Sequence, residues 1–126
     1  MTTAPQLPDR RVLVVDDDPQ ARSALSALLR AAGFDADTAA DGREAFRYLY
    51  NHPAPCLVLL DLRMAGMDGW TFCDALRVDP HLAGIPVVIC SGVADLERQA
   101  SGLNAQAVYA KPVDPGALID TIRRLC

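Results

Sequence analysis

The sequence predicts one α/β domain, a parallel β-sheet doubly wound with helices on both faces. Three observations carry that expectation. Five short apolar runs recur along the 126 residues, segments of helical character separate them, and the long apolar runs end in polar, chemically capable residues.

Residues 1–10 are polar and proline-containing, a loose flexible lead into a domain covering 11–126. Residues 12–15 (Val-Leu-Val-Val) form a continuous β-branched run, as in a strand covered on both faces. Pro19 then opens a helix, and Leu25, Leu28, Leu29 and Ala32 fall at i, i+3, i+4 and i+7 on one buried stripe. Gly33 ends that helix as a C-terminal cap. Residues 35–39 make a weak second strand. Asp41-Gly42 is a turn, and residues 43–51 a helix stopped by His52-Pro53. The third strand, 56–60, is the most hydrophobic. A loop from 63 to 69 leads to a helix over 70–78. The fourth strand is predicted at 86–90, followed by a less amphipathic helix over 94–103, and the fifth strand at 107–110. The last helix carries Leu118, Ile119, Ile122 and Leu125 on one side.

Alternation of this kind implies right-handed crossovers, and such sheets place their sites at the carboxyl ends of the strands, near the point where strand order reverses. The residues there are Asp16, Asp17 and Asp18 after the first strand, Asp61 after the third, Ser91 after the fourth and Lys111 after the fifth. A single aspartate at a strand end has a bland explanation as a solvated terminus; the set on one edge points to chemistry. Clustered carboxylates are tolerated together only if a cation neutralises them. Oxygen ligands with little histidine or thiolate nearby suit Mg²⁺. A carboxylate can act as nucleophile toward phosphorus, forming an aspartyl phosphate. Phosphoryl transfer then needs neutralising groups within reach, for which Ser91 offers a hydroxyl and Lys111 a point charge. Of the 12 cationic residues, Lys111 is the only lysine.

Four segments together carry a resemblance. They are Val-Leu-Val-Val-Asp16-Asp17-Asp18-Pro, Leu-Val-Leu-Leu-Asp61-Leu-Arg-Met-Ala-Gly-Met-Asp-Gly, Val-Ile-Cys-Ser91-Gly92 and Tyr-Ala-Lys111-Pro112. Over residues 11–126 the chain resembles a bacterial response-regulator receiver domain of the stand-alone type. The resemblance implies a flavodoxin-like fold with five parallel strands in the order 2-1-3-4-5. It also implies two-component signalling in which Asp61 accepts a phosphoryl group from a sensor histidine kinase or a phosphotransfer protein. Asp17 and Asp61 would bind Mg²⁺ directly, Asp16 would do so through water, and the Arg63 backbone carbonyl would complete the protein ligands. Ser91 and Lys111 would each hold a phosphoryl oxygen, and the Lys111-Pro112 bond would be cis. The receiver would switch the binding of a downstream protein, acting as a phosphoacceptor rather than an enzyme. The face of the fourth helix, fifth strand and fifth helix would be its output surface and the site of any homodimer.

Other residues have structural readings. Asp18 is expected to cap the first helix, Asp41 and Asp68 to sit in turns or caps, and Met64, Met67 and Gly69 to shape the loop after Asp61. His52 and His81 read as loop residues, and Trp70 as a packing anchor. The chain departs from the family pattern at three places. Ala65 stands where proline is usual, and Arg63, two residues past Asp61, either reaches over the phosphoryl group or points into solvent. Val108 occupies the position of the relay aromatic, while Tyr109 should face the opposite side of the sheet.

The bulk composition excludes several alternatives. A net charge of -4 and a pI near 4.9 give no basic patch for direct nucleic-acid binding. No apolar run is long enough to span a bilayer, and the run after Arg11 ends at once in aspartates, unlike a signal peptide. A cytoplasmic location follows as the expectation. Cys56, Cys73, Cys90 and Cys126 show no CxxC or zinc spacing, so buried free thiols in a reducing compartment are expected over disulfides. Three further readings remain in view. One is a phosphorylation-independent receiver-fold scaffold. Another is an isolated receiver from a larger hybrid kinase or regulator, which a natural stop after Cys126 would argue against. The third, a Mg²⁺-dependent phosphatase, would want a second acid where Arg63 stands.

Overall fold

The computed structural model describes residues 10–126; most of the expected lead-in at 1–10 lies outside them. The chain runs β1 (Arg11–Val15), α1 (Pro19–Ala31), β2 (Asp35–Ala39), α2 (Gly42–Asn51), β3 (Leu57–Leu60), α3 (Gly69–Val78), β4 (Val87–Ser91), α4 (Leu96–Ala100), β5 (Ala107–Ala110) and α5 (Pro115–Leu125). The strands form one parallel sheet in the order β2-β1-β3-β4-β5. The predicted fold class and strand order are those observed.

Strand alternation sorts the core into two layers. Leu13, Val15, Val58, Leu60, Val87 and Ile89 pack with Ala45 and Leu49 of α2, Phe72, Cys73 and Leu76 of α3, and Leu96 and Ala100 of α4. Val12, Val14, Leu57, Leu59, Val88 and Cys90 pack with Leu25 and Leu29 of α1 and Leu118, Ile119 and Ile122 of α5. Between Arg11 at the start of β1 and Ser91 at the end of β4, the three inner strands are therefore apolar, because both of their faces are covered. Phe72 is the largest fully buried side chain, and burying one of its size stabilises the fold by about 1.5–3 kcal/mol.

Capping follows the sequence closely. Asp18, Asp41 and Asp68 each accept a hydrogen bond from a backbone N–H in the first turn of α1, α2 and α3, as does Asp114 for α5. Gly33 follows α1 at φ +94°, a conformation that favours glycine. Several boundaries differ from expectation; β1, α2 and α3 each begin one residue early. The fourth strand starts at Val87 rather than at Pro86, which has no N–H to give the ladder, and it extends to Ser91. The third starts at Leu57, one residue late. α4 spans Leu96–Ala100 instead of 94–103, because Asp95 before it (φ +58°) and Gly102 and Asn104 after it (φ +84° and +56°) leave helical geometry.

The cysteine expectation is corrected in part. Cys73 and Cys90 are free and buried, but Cys56 and Cys126 form a disulfide with Cα atoms 5.4 Å apart. Their separation of 70 residues left no spacing signal. The fold brings them together by ending α5 over the entry to β3.

Candidate functional site

The parallel ladder continues past the strand ends and sets the functional residues on one edge. Asp16 N–H donates to the Ala39 carbonyl (3.1 Å), Asp61 N–H to that of Val15 (2.9 Å) and Lys111 N–H to that of Ser91 (3.0 Å). These residues follow β1, β3 and β5, and Ser91 ends β4. The acids flank the reversal between β1 and β3, where the topology leaves a crevice.

Within that crevice, one carboxylate oxygen each from Asp16, Asp17 and Asp61 lies within 4.8 Å of the others. Asp16 is 2% exposed and Asp61 8%, whereas Asp17 is open to solvent. Ser91 Oγ donates to Asp61 Oδ1 at 2.6 Å, and the Arg63 backbone N–H donates to the same oxygen at 3.3 Å. Lys111 Nζ lies 3.3 Å from Asp61 Oδ2 and 2.5 Å from Asp16 Oδ2. Burial disfavours the charge on Lys111, but hydrogen bonds and attraction from Asp16 and Asp61 outweigh it and raise its pKa above the ordinary lysine value.

The loop after β3 is shaped by close approach. A Cβ on Gly69 would meet the Asp61 carbonyl oxygen at 2.4 Å and Leu62 Cα at 2.6 Å, so only glycine lets the chain return against its own strand end. Gly69 N–H donates to the Leu62 carbonyl at 2.8 Å, and Ala65 N–H reaches across to Asp17 Oδ2 at 3.1 Å. The absence of proline at position 65 therefore serves a purpose, since a proline there would remove that donor. Met64 is buried, and Met67 packs against Gly42.

The structure thus brings together Asp16, Asp17, Asp61, Ser91 and Lys111. Arg63 contributes its backbone beneath Asp61 and an exposed side chain at the lip of a cavity of about 240 Å³ that also opens onto Asp61, Ser91, Gly92 and Lys111. Asp18 lies at the same mouth but is engaged as the α1 cap. Trp70 anchors α3 to α4 through a bond from its Nε1 to the Gln99 carbonyl (2.8 Å), and Lys111-Pro112 is cis. Sequence reasoning missed Arg22, whose Nη1 donates to the Asp16 carbonyl at 2.8 Å and steadies the acidic loop from within α1. An arginine one turn into the helix that follows the acids was the available signal.

The donor set fits a divalent cation. Three carboxylates face one ammonium, leaving two net negative charges among oxygen ligands only.

Residues 12–123 match the response regulator receiver domain, and the chain belongs to that family. Receiver domains are phosphoacceptor modules of two-component signal transduction, and they bind Mg²⁺ at an acidic pocket. Among curated proteins the chain is 39% identical over 107 residues to a gliding motility regulatory protein of Myxococcus xanthus, covering 85% of this chain and 14% of the relative. It is 37% identical to the DNA-binding response regulator MtrA of Mycolicibacterium smegmatis, covering 90% and 49%. The chain therefore spans half or less of the length of these relatives. Among solved structures, a response regulator receiver protein from Pseudomonas putida superposes with a TM-score of 0.87 at 30% identity, covering 94% of this chain and 99% of that one. The receiver domain of a signal transduction histidine kinase from Syntrophus aciditrophicus gives 0.84 at 29% identity, covering 91% and 88%.

Proposed function

We propose that this receiver takes a phosphoryl group onto Asp61 from a histidine kinase or phosphotransfer protein, in a Mg²⁺-dependent step, and thereby switches its binding of a downstream protein. The observation that carries this reading is the Asp61 carboxylate held between Ser91 Oγ and Lys111 Nζ, beside Asp16 and Asp17. An Asp61 oxygen attacks phosphorus as the bond from phosphorus to the donor nitrogen breaks, and the phosphoryl group moves without net gain or loss of electrons. Lys111 and Ser91 then turn from the carboxylate to the phosphoryl oxygens. Bound Mg²⁺ supplies neutralisation of the charge gathering on those oxygens. Asp16, Asp17 and Asp61 would hold it together with the Arg63 carbonyl, which accepts no hydrogen bond among the described residues.

The proposal includes a cytoplasmic setting and no direct contact with nucleic acid. No described helix is long and apolar enough to cross a membrane, and the DNA-binding activity named for MtrA belongs to a protein about twice as long. A homodimer, if one forms, would use the α4-β5-α5 face. One observation favours a second reading, a scaffold that binds its partner without phosphate: Val108 stands where the relay aromatic would be.

Incubation with Mg²⁺ and acetyl phosphate, followed by intact mass, tests the proposal. One base-labile phosphate is expected on the wild type and none on Asp61→Asn. Label persisting on the variant moves the acceptor elsewhere. An unlabelled wild type, even with its cognate kinase, favours the scaffold.

A further inference from the structure

The Cys56–Cys126 bond sits at the opposite end of the sheet from the acids. Cys56 immediately precedes β3, and its N–H donates to the Arg11 carbonyl at 2.8 Å; Asp61 immediately follows β3. At about 3.3 Å per residue, the two are roughly 17 Å apart along the same strand. Cys126 follows the last turn of α5, whose buried stripe of Leu118, Ile119 and Ile122 lies over β1, β3 and β4. Past the buried Ile122 the tether thins: Arg123 and Arg124 are exposed, Leu125 is half-buried, and apart from the disulfide the side-chain bonds are Arg124 to Thr121 Oγ1 at 3.0 Å within the helix and Arg123 to the Ala32 carbonyl at 3.5 Å. Both bonded cysteines are half-buried, at the margin of the core rather than enclosed in it. The other two cysteines do not compete. Cys73 and Cys90 are buried in separate layers of the core, and burial pushes both thiols up to about 11.

We propose that Cys56 and Cys126 form a reversible thiol–disulfide site, a redox latch that fastens the end of α5 to the entry of the acceptor-bearing strand. In a reducing compartment a bond of this kind is transient and reports the redox state rather than serving as a permanent staple. Closure consumes one glutathione disulfide. A protein thiolate attacks it, forming a mixed disulfide and releasing one glutathione thiolate; the second protein thiolate then displaces the other. Two electrons pass from the protein to glutathione, and the two thiol protons leave with the glutathione thiols. The latch gives the domain a second input, at the end of the sheet away from Asp61, acting on a helix that flanks β5.

The whole chain, equilibrated across a glutathione redox series, then denatured and alkylated, provides the test. The oxidised protein should take up two alkyl groups and the reduced protein four, with one two-electron transition between them. In the native protein, amide exchange over residues 120–126 should quicken on the order of tenfold on reduction, while β3 is unchanged. Cys126→Ser should show the fast exchange in either buffer, and Cys73→Ser should behave as wild type. Four alkylatable thiols in the presence of glutathione disulfide would overturn the site. A bond that forms without slowing α5 exchange would overturn the latch.

Discussion

Replacing Lys111 with alanine removes the cation that balances Asp16, Asp17 and Asp61. At an effective dielectric of about 20, a charge pair at the 3.3 Å separation of Lys111 and Asp61 attracts by about 5 kcal/mol, and the pair with Asp16 at 2.5 Å by somewhat more. Most of that is offset by the cost of drying both partners and ordering the lysine. Deleting one partner of a buried pair costs about 3–5 kcal/mol. The lysine side chain is 27% exposed, and screening reduces the expected loss to about 2–3 kcal/mol at neutral pH without divalent ions. With a urea slope of about 1–3 kcal/mol per molar, the unfolding midpoint should fall by about 0.7–3 M. The loss should shrink in saturating Mg²⁺, because a divalent ion between the same carboxylates takes over the neutralisation. The assay is urea unfolding of wild type and Lys111→Ala in chelator and in Mg²⁺. An equal loss in both buffers would refute the reasoning, since it would show that the cation does not bind among these acids.

Two further outcomes follow from the geometry. Gly69→Ala places a Cβ 2.4 Å from the Asp61 carbonyl oxygen, against backbone that cannot swing aside. It should cost about 1–3 kcal/mol in urea unfolding and slow labelling by acetyl phosphate; wild-type values for both would show that the loop has room to yield. The pH profile should have an alkaline limb. Burial raises the Cys73 and Cys90 thiols to about 11 from an ordinary value of 9, and the Lys111 ammonium is raised as well. Each contribution is complete below the unfolded-state value and is lost as pH climbs through the folded one. The urea midpoint should therefore decline from pH 9 towards 11, and native Cys73 and Cys90 should resist alkylation at pH 8. A midpoint flat to pH 11 would contradict this.

The fold was legible because covered strands and amphipathic helices leave different periodicities. Val12–Val15 and the stripe Leu25, Leu28, Leu29 and Ala32 each announce their element. The site was legible because the topology rule turns strand ends into neighbours, joining Asp16, Asp61, Ser91 and Lys111 across 95 residues of sequence. What escaped depends on contacts that no local pattern encodes. Arg22 reaches back to the Asp16 carbonyl, Ala65 lends an N–H to Asp17, and Cys56 meets Cys126 only once α5 has packed. The short α4 escaped for another reason. Asp95, Gly102 and Asn104 are residue types that tolerate positive φ without requiring it, so their identity allowed the breaks but did not place them.

The placement of Tyr109 bears on how a change at Asp61 would leave the site. Cys90 and Tyr109 are paired in register and belong to the layer with α1 and α5, whereas Ile89 and Val108 belong to the layer with α2, α3 and α4. Ser91 lies two residues beyond Ile89 and so shares its face, which puts Ser91 and Tyr109 on opposite sides of the sheet. The Tyr109 hydroxyl is moreover committed to α5, bonding Thr121 Oγ1 and the Ala117 carbonyl. A rotation of Tyr109 that followed Ser91 would have to cross the sheet and break those bonds. On the Ser91 side, the groups free to respond are Gly92, whose added Cβ would meet nothing nearer than 4.0 Å, and the five-residue α4 held by Leu96, Ala100 and the Trp70 bond to Gln99. Val108 is too short to gate that space by rotation. The physical route open to this sequence is displacement of the loop after β4 and of α4 itself, with Trp70 as the contact that must yield or follow.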